Sequence, residues 1–575
     1  MKKLISFVFI ILFVVSCGSG GKSERRKLRE YFVIGNWKKA HEVIDKSDVY
    51  RHEDSRMLYW MEKGLLYHVE GEYTQSMTYL EKAKELSREL YKSRISGQVK
   101  SLIMNDNYDI YYGETYERSL IHLYLAMNHY LLAKRGNTRA VLSKKGKVVT
   151  AAKQLSNNEI RKEYGRARSE MIDWNSTLET FQIEKMGESV FKNDLLAKVF
   201  GGHIHEMVGS RTDMQIAYQL YKDAKKLLLR HYSSYKTFNS KSKIFKKEFK
   251  KVEGLGDGEI KKDYLAETKY FKSLSSYLNY KILSLSKRIR PDEFSRMVKI
   301  HSPSKTTLGR VNKNKSGANV GIILQKSMIP AKVPEKYYYG LDPSRMKSGA
   351  GKVVATIGHA VLTAFAVNKL GLGWRKGGWS PASAAIGVNV MALGVKHGVA
   401  INFQLPRIAN KPTSDESWIR VKNSAGKQVR MEKLAILNPM GDIAEEAVAE
   451  KAAWRYGRTG ARLAVKFAAA IATAYATYSL VKSKSGEGMI SRLAAVMAFA
   501  GAVKTIEASE KADTRYWGLL PKDFRVSDFF LPKGEYNLEL VIKRTGKKGN
   551  RVIKIGPLVI KNEKKRHLVN FRTRS

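Results

Sequence analysis

The chain has 575 residues, and its 103 Lys and Arg against 54 Asp and Glu give a formal net charge of +49. This length is enough for several domains with substantial cores. The charge favours anionic partners such as phospholipid head groups or acidic wall polymers, and a basic, solvated surface without a specific ligand is the alternative. Cys17 is the one cysteine, so an internal disulfide and a cysteine zinc site are both excluded.

The N-terminus has the layout of a secretory signal, with a cationic start and an apolar run that ends at Val15. Val14-Val15-Ser16-Cys17 then resembles a bacterial lipobox, in which lipid is added to the cysteine sulfur before the peptidase cuts. We therefore predict a signal peptide over residues 1–16, acylation of Cys17 and a flexible tether over residues 17–24. The glycine after Cys17 favours the outer membrane, facing the periplasm, over inner-membrane retention.

The first 290 residues contain no proline, and their apolar periodicity predicts an all-α domain over residues 25–290 that folds independently. One stretch matches the tetratricopeptide pattern of large, small and aromatic positions across two antiparallel helices. Its residues are Trp60, Gly64, Tyr67, Ser76, Leu80 and Ala83. We predict tetratricopeptide-like repeats with a concave face for a protein partner, and unrelated helical hairpins are the alternative.

A polar and aromatic stretch after this repeat is the candidate partner-binding site. Its first three residues are also types that end a helix or cap the next one. The candidate residues are Asn105, Asp106, Asn107, Tyr112, Glu114 and Glu117.

All 12 prolines lie in the second half, where strand and helix signals mix. We predict a basic linker over residues 291–317 and an α+β domain with antiparallel strands over residues 318–575. A helical block at about 443–509 and a β-rich end at about 527–573 lie within it. The apolar segment 349–400 has no assigned role. The apolar runs of this half are too short or too polar for a spanning helix, which favours buried or amphipathic helices.

Three stretches carry a resemblance to a known group of proteins. They are the partner-binding stretch above, Val320-Gly321-Ile322-Ile323-Leu324, and Ala512-Asp513-Thr514-Arg515-Tyr516-Trp517 with the following Leu531-Pro532-Lys533-Gly534-Glu535-Tyr536. In these stretches the chain resembles a family of uncharacterised bacterial lipoproteins with a tetratricopeptide-like N-terminal half. The resemblance implies an envelope location and a C-terminal β-containing domain, and it implies no particular reaction.

Candidate chemical motifs lack the residues that their chemistry needs. Gly349-Ala350-Gly351-Lys352 has no hydroxyl residue after the lysine, as a phosphate loop would. His203 and His205 are two apart on a predicted helix, so they point away from each other and cannot easily share one ion. We predict no metal and no cofactor, and we lean against an enzyme. Asp513, Arg515 and Trp517 are expected to form a structural ion pair and a buried indole.

The function predicted first is a lipid-anchored scaffold or adaptor of the bacterial cell envelope, which binds a protein partner through its helical repeats. The alternatives are a structural lipoprotein that binds wall polymer or anionic lipid, and an enzyme that acts on envelope polymers. Nucleic acid is not expected, because a secreted, lipid-anchored chain rarely meets it. The candidate polyanion-binding residues are Lys547, Lys548, Lys564, Lys565 and Arg566.

Overall fold

The computed structural model describes residues 21–95, 110–142, 148–183, 193–245, 265–313, 317–340, 400–486, 488–543 and 549–574. Several predictions from the sequence lie outside the described residues. They concern the signal peptide, Cys17, residues 17–20 of the tether, Asn105, Asp106, Asn107, Lys547, Lys548 and almost all of the segment 349–400. Residues 21–24, the rest of the predicted flexible tether, are instead the first turn of the helix Gly21–Ile34, which buries Leu28 and Phe32 in the core.

Helices make up most of the described chain before residue 314. They are α1 (Gly21–Ile34), α2 (Trp37–Lys46), α3 (Asp48–Arg51), α4 (Arg56–Glu70), α5 (Tyr73–Ile95), α6 (Thr115–Arg135), α7 (Asn157–Ile183), α8 (Leu195–Val208), α9 (Arg211–Arg230), α10 (Lys269–Ile289), α11 (Phe294–His301) and α12 (Lys305–Lys313). From α4 to α10, each helix packs on the next one along the chain. A short antiparallel ribbon, β1 (Val141–Leu142) with β2 (Val148–Thr150), interrupts the helices.

The α4–α5 hairpin shows how local sequence produces this packing. Gly71 ends α4 in the left-handed conformation (φ +83°), which favours glycine because it has no Cβ. Gly64 lets the two helices approach closely, since a Cβ there would lie 2.6 Å from Cγ of Leu80. The hydroxyl of Ser76 donates to the Gly64 carbonyl at 2.6 Å, so the close approach also satisfies a buried polar group.

The segment predicted to be a basic linker is helical where it is described. A 3₁₀ turn at Pro291–Glu293 leads into α11 and then α12, and both helices pack on α10. Met297, Thr307 and Val311 are buried, so residues 291–313 belong to the helical layer.

A seven-stranded sheet follows, in the order β10-β9-β6-β7-β8-β3-β11. Its strands are β3 (Val320–Lys326), β6 (Glu416–Asn423), β7 (Gln428–Asn438), β8 (Asp523–Phe529), β9 (Gly534–Lys543), β10 (Arg551–Ile560) and β11 (His567–Arg572). Neighbouring strands are antiparallel except β11, which runs parallel to β3. The predicted alternation in β9 is confirmed, because Leu538, Leu540 and Ile542 are all buried in the core on one face.

The opposite face of the sheet shares one core with the N-terminal helices. Helical residues such as Leu66 and Tyr124 belong to the same buried cluster as Phe524 in β8, Leu568 in β11 and Trp517 before β8. The fold is therefore a mixed α+β fold in which helices cover one face of a mainly antiparallel sheet.

Two further elements lie beside the sheet. The antiparallel ribbon of β4 (Lys332–Gly340) and β5 (Ala400–Ile408) is one of them. The other is a helical block of α13 (Met440–Glu450), α14 (Ala452–Ser485) and α15 (Met489–Ser509), in the place predicted for it. We call α14 and α15 the helical hairpin, because they pack along each other and rest on β5.

Candidate functional sites: an ionic junction and a helical hairpin

The described part of the candidate partner-binding stretch lies at the N-terminus of α6 and is buried. Glu114 and Glu117 form a capping box there, in which each side chain accepts a backbone N–H of the other residue. The Glu114 carboxylate also accepts bonds from Lys451 (2.7 Å), Arg455 (3.1 Å) and Lys332 (3.5 Å). Burial alone would raise the pKa of Glu114, but these cations outweigh it and hold the pKa well below its usual value.

Glu117 and Glu62 hold the turn that precedes β8. Glu117 accepts from the backbone N–H of Trp517 at 2.8 Å and from the Tyr111 hydroxyl at 2.6 Å. Glu62 accepts from the N–H groups of Gly518 (2.7 Å) and Leu519 (3.3 Å). We call these contacts and those of Glu114 the ionic junction. It ties α4 and α6 to the second half of the chain.

The predicted structural role of Asp513, Arg515 and Trp517 is confirmed. The guanidinium of Arg515 binds both carboxylate oxygens of Asp513 at 2.9 Å, and the Trp517 side chain is fully buried. Tyr112, Glu114 and Glu117 are also buried among groups of the chain itself. In this conformation they hold the two halves together and do not form an exposed surface.

Glu62 should make stability fall as pH rises. Burial raises its pKa to about 8, although the backbone N–H groups of Gly518 and Leu519 act in the opposite direction. The folded chain therefore binds a proton that the unfolded chain has lost between pH 4.5 and 8, so stability is highest below this window and decreases through it. Glu62→Gln should remove this pH dependence of the free energy of unfolding, whose slope is at most about 1.4 kcal/mol per pH unit.

Urea unfolding of both proteins between pH 5 and pH 9 tests this slope. The glutamine oxygen can still accept from Gly518, and the slope rather than the absolute stability is compared. The exposed Glu53, paired with Arg56, provides the matched control Glu53→Gln, which should keep the wild-type slope. Parallel pH profiles for wild type and Glu62→Gln would contradict the role given to Glu62.

A second buried ionic cluster joins α8 and α10 to the sheet. Asp528 in β8 binds Lys281 and, at 2.7 Å, Arg566. Glu206 binds the same two cations, Lys281 at 2.7 Å and Arg566 at 2.9 Å. Burial would raise the pKa of Asp528, but the charges of Arg566 and Lys281 hold it well below its usual value.

The described candidate polyanion-binding residues differ in their exposure, because one of them belongs to this cluster. Lys564 and Lys565 are exposed. The side chain of Arg566 is only 6% exposed and already has two carboxylate partners. Arg566 is therefore a structural residue, and only the two lysines among the described candidates are accessible to an anion.

Two groups of described residues have the composition of metal ligands, His203 with Glu206 and Asp528, and His122 with Glu170 and Asp173. Both already contain protein cations, because Lys281 and Arg566 bind the first group, and Lys84 lies 3.0 Å from Glu170. A metal ion would have to displace these partners. His205 binds Asp213 and lies apart from the first group, as the helical spacing predicted.

The helical hairpin is fixed at its base. Arg462 binds the buried carboxylate of Glu510 through two nitrogens, at 2.8 and 3.1 Å, and Lys466 binds it at 2.7 Å. Glu507 accepts the backbone N–H of Asn402 in β5 at 2.9 Å. These contacts hold the end of the hairpin near residues 462–466 against the ribbon.

The part of the hairpin near its turn exposes a row of large apolar side chains. Ser491, Ala495 and Phe499 on α15 are buried. The opposite face carries Ile490, Leu493, Val496 and Met497, at the spacing of one helical face. Leu493 is 58% exposed and Met497 67% exposed. We call this row the apolar face of α15.

Positive charge predominates on the hairpin. Between Ala452 and Ser509 the sequence has eight Lys and Arg against two acidic residues, Glu487 and Glu507, and Glu507 lies 3.9 Å from Lys504. Lys484, Arg492 and Lys504 are exposed beside the apolar face. By length and composition, α15 is the one helix in the described ranges that could cross a membrane, with a mean hydropathy of 1.5 over an 18-residue window that is 28% buried.

The sequence predicted a helical block here but not which face of its helices is exposed. The burial of a face depends on the partner helix, which only the folded structure shows. The acidic residues Glu62 and Asp528 were also missed, since no local pattern distinguishes them from surface carboxylates. Comparison with protein families, curated proteins and solved structures finds no match to this chain.

Proposed function

We propose that this chain is a lipid-anchored protein of the bacterial cell envelope, and that its helical hairpin binds an anionic membrane surface. The observation that carries the proposal is the apolar face of α15, which lies beside the exposed Lys484 and Arg492 on a predominantly basic hairpin. Apolar area and cations together are what an anionic bilayer surface attracts. Acylation of Cys17 would keep the hairpin close to such a surface.

Two magnitudes favour a hairpin that lies in the plane of the membrane. The charge-free stretch of α14, from Phe467 to Val481, has 15 residues, which corresponds to about 22 Å of helix against about 30 Å of hydrocarbon. Vertical insertion would also bury Lys482, Lys484 and Arg492 at the turn, at about 2.5–3.5 kcal/mol each. In the plane, the apolar side chains enter the interface while the cations reach the head groups.

Vesicle binding by the chain from residue 18 onward, made without the acyl group, tests the proposal. We expect it to sediment with vesicles of equal phosphatidylglycerol and phosphatidylcholine. Leu493→Glu combined with Met497→Glu should weaken binding at least about 10-fold, because each lost side chain contributes roughly 1.5 kcal/mol or more. Arg492→Glu should weaken it as well and should reduce its dependence on salt.

Ile172→Glu is the matched control, because Ile172 is 74% exposed on α7 and far from the hairpin in sequence. This variant should bind as wild type does. Full binding by the Leu493 and Met497 variant would refute the proposal. Loss of binding in a Lys564→Glu and Lys565→Glu variant instead would assign the membrane contact to the C-terminal basic residues.

The scaffold function remains the second candidate, together with tetratricopeptide-like repeats as the finer description of the helical layer. The close packing of Gly64 against Leu80 supports such repeats. We favour membrane binding, because Tyr112, Glu114 and Glu117, the described residues expected to meet a partner, bind the chain itself. A protein partner would need another surface of the helical layer.

A further inference from the structure

A cavity of about 430 Å³ lies between the helical layer and the end of the sheet. Trp37 of α2, His68 of α4 and Tyr73 of α5 form its helical side. Asn570 and Arg572 of β11, with Arg574 just beyond, form the other side. No lining residue is acidic, so the two guanidinium groups face the cavity without a neutralising carboxylate in its wall.

The two arginines of the cavity differ in what they offer a ligand. Arg574 is exposed and stacks over the ring of Trp37, 5.5 Å from its centroid, and it forms no ion pair with any described residue. Arg572 donates through Nη2 to the carbonyls of Leu519 and Ser327. Its Nε and Nη1 have almost no accessible surface, and the guanidinium also interacts with the hydroxyl of Tyr124. Arg572 therefore contributes positive charge to the wall of the cavity, while Arg574 and the Asn570 amide can reach a ligand directly.

The neutral groups of the cavity have fixed orientations. Asn570 Oδ1 accepts a bond from Gln325 at 3.1 Å, which leaves the Asn570 amide nitrogen as a donor. Asn128 donates to Ser76 through Nδ2, so its Oδ1 must accept from Nδ1 of His68 at 2.7 Å. Burial lowers the pKa of His68 to about 4, so the ring is neutral near pH 7 and its Nε2 is an acceptor.

The edge strand contributes backbone donors. The N–H of His567 donates to Asn319, and that of Thr573 donates to Gln325, so odd-numbered residues of β11 face β3. In a parallel pair the intervening residues point the other way. The N–H groups of Asn570 and Arg572, two residues that line the cavity, therefore point to the free edge of the sheet.

We propose that this cavity binds a small organic anion, namely a phosphate or carboxylate attached to a flat apolar group. Arg574 and Asn570 would bind the oxyanion, because a guanidinium group matches its geometry through paired N–H donors, and the positive charge of Arg572 would attract it. Trp37 and Tyr73 offer aromatic surface for the flat group, and His68 accepts from a ligand hydroxyl or N–H. The cavity volume is within the range of small-molecule sites.

Isothermal titration calorimetry of the chain from residue 18 onward tests the site with phenyl phosphate, inorganic phosphate and phenol. We expect a Kd for phenyl phosphate of about 10 μM to 1 mM, at least about fivefold weaker binding of phosphate, and no measurable binding of phenol. Asn570→Asp keeps the acceptor for Gln325 but places a negative charge beside the oxyanion. It should weaken phenyl phosphate binding at least about 10-fold, and Arg574→Glu should do the same.

Lys554→Glu is the matched charge reversal, because Lys554 is exposed on β10 at the opposite edge of the sheet. It should leave the Kd unchanged. Melting curves check that each variant is folded, and Asn570→Asp and Arg574→Glu alter different contacts, so one folded variant suffices. No binding of phenyl phosphate, or equal binding by wild type and a folded variant, would overturn the proposal. Equally tight binding of inorganic phosphate would refute the part played by the aromatic residues.

Discussion

Asp528→Asn should destabilise the protein by about 3–5 kcal/mol, the cost of breaking a buried ion pair by removing one partner. Lys281 and Arg566 are 4% and 6% exposed, and both bind Asp528. After the substitution, two buried cations would share the single carboxylate of Glu206. The side chain keeps its size, so the loss reports charge rather than a cavity. Urea unfolding at pH 7, followed by tryptophan fluorescence, measures it.

Glu53→Gln is the control here too, because it also removes one carboxylate charge from an ion pair. Glu53 is 86% exposed where it binds Arg56, and an exposed pair of this kind contributes less than about 1 kcal/mol. The two variants should therefore differ by several kcal/mol. A shift for Asp528→Asn as small as that for Glu53→Gln would mean that the cluster is hydrated or not formed.

A fragment of residues 25–290 should not melt cooperatively on its own. The sequence predicts an independent helical domain there, because that half has no proline and a clear helical period. The structure leads us to expect otherwise, because the inner face of these helices shares one core with Trp517, Phe524 and Leu568. Without the sheet this apolar face would meet water, at roughly 25 cal/mol per Å². Circular dichroism should show helix with a broad melt, and the fragment should bind a dye for exposed apolar surface.

Adding residues 291–575 in the same solution should restore a sharp transition if the two pieces associate. The intact chain from residue 18 is the reference for that transition. A sharp, reversible melt of the fragment alone, at the temperature of the intact chain, would show that the shared core contributes little to the helical half.

Much of the local structure could be predicted because it depends on neighbouring residues. The apolar period of β9 placed Leu538, Leu540 and Ile542 on one face, and the block near 443–509 is helical. The spacing of His203 and His205 also separated them correctly. The linker prediction rested on composition, and composition alone does not show that Thr307 and Val311 are buried in α12.

The candidate site residues could not be placed in the same way. Glu114 and Glu117 look like accessible polar residues in the sequence, yet Glu117 binds Trp517, which lies 400 positions further along the chain. Arg566 stands in a run of exposed cations, yet its partners Glu206 and Asp528 lie in α8 and β8. No pattern within one segment contains such a pairing.

The sequence by itself therefore determined the charge, the candidate lipid attachment at Cys17, the helical first half and the strand-bearing second half. These features depend on composition and on periods of two or 3.6 residues, which act over short distances. The tertiary structure decided which face of each element is covered. It buried Glu62, Glu114 and Asp528 and left the apolar face of α15 and the cavity beside β11 open. The reason is physical, since the burial of a side chain depends on residues that only the folded chain brings into contact.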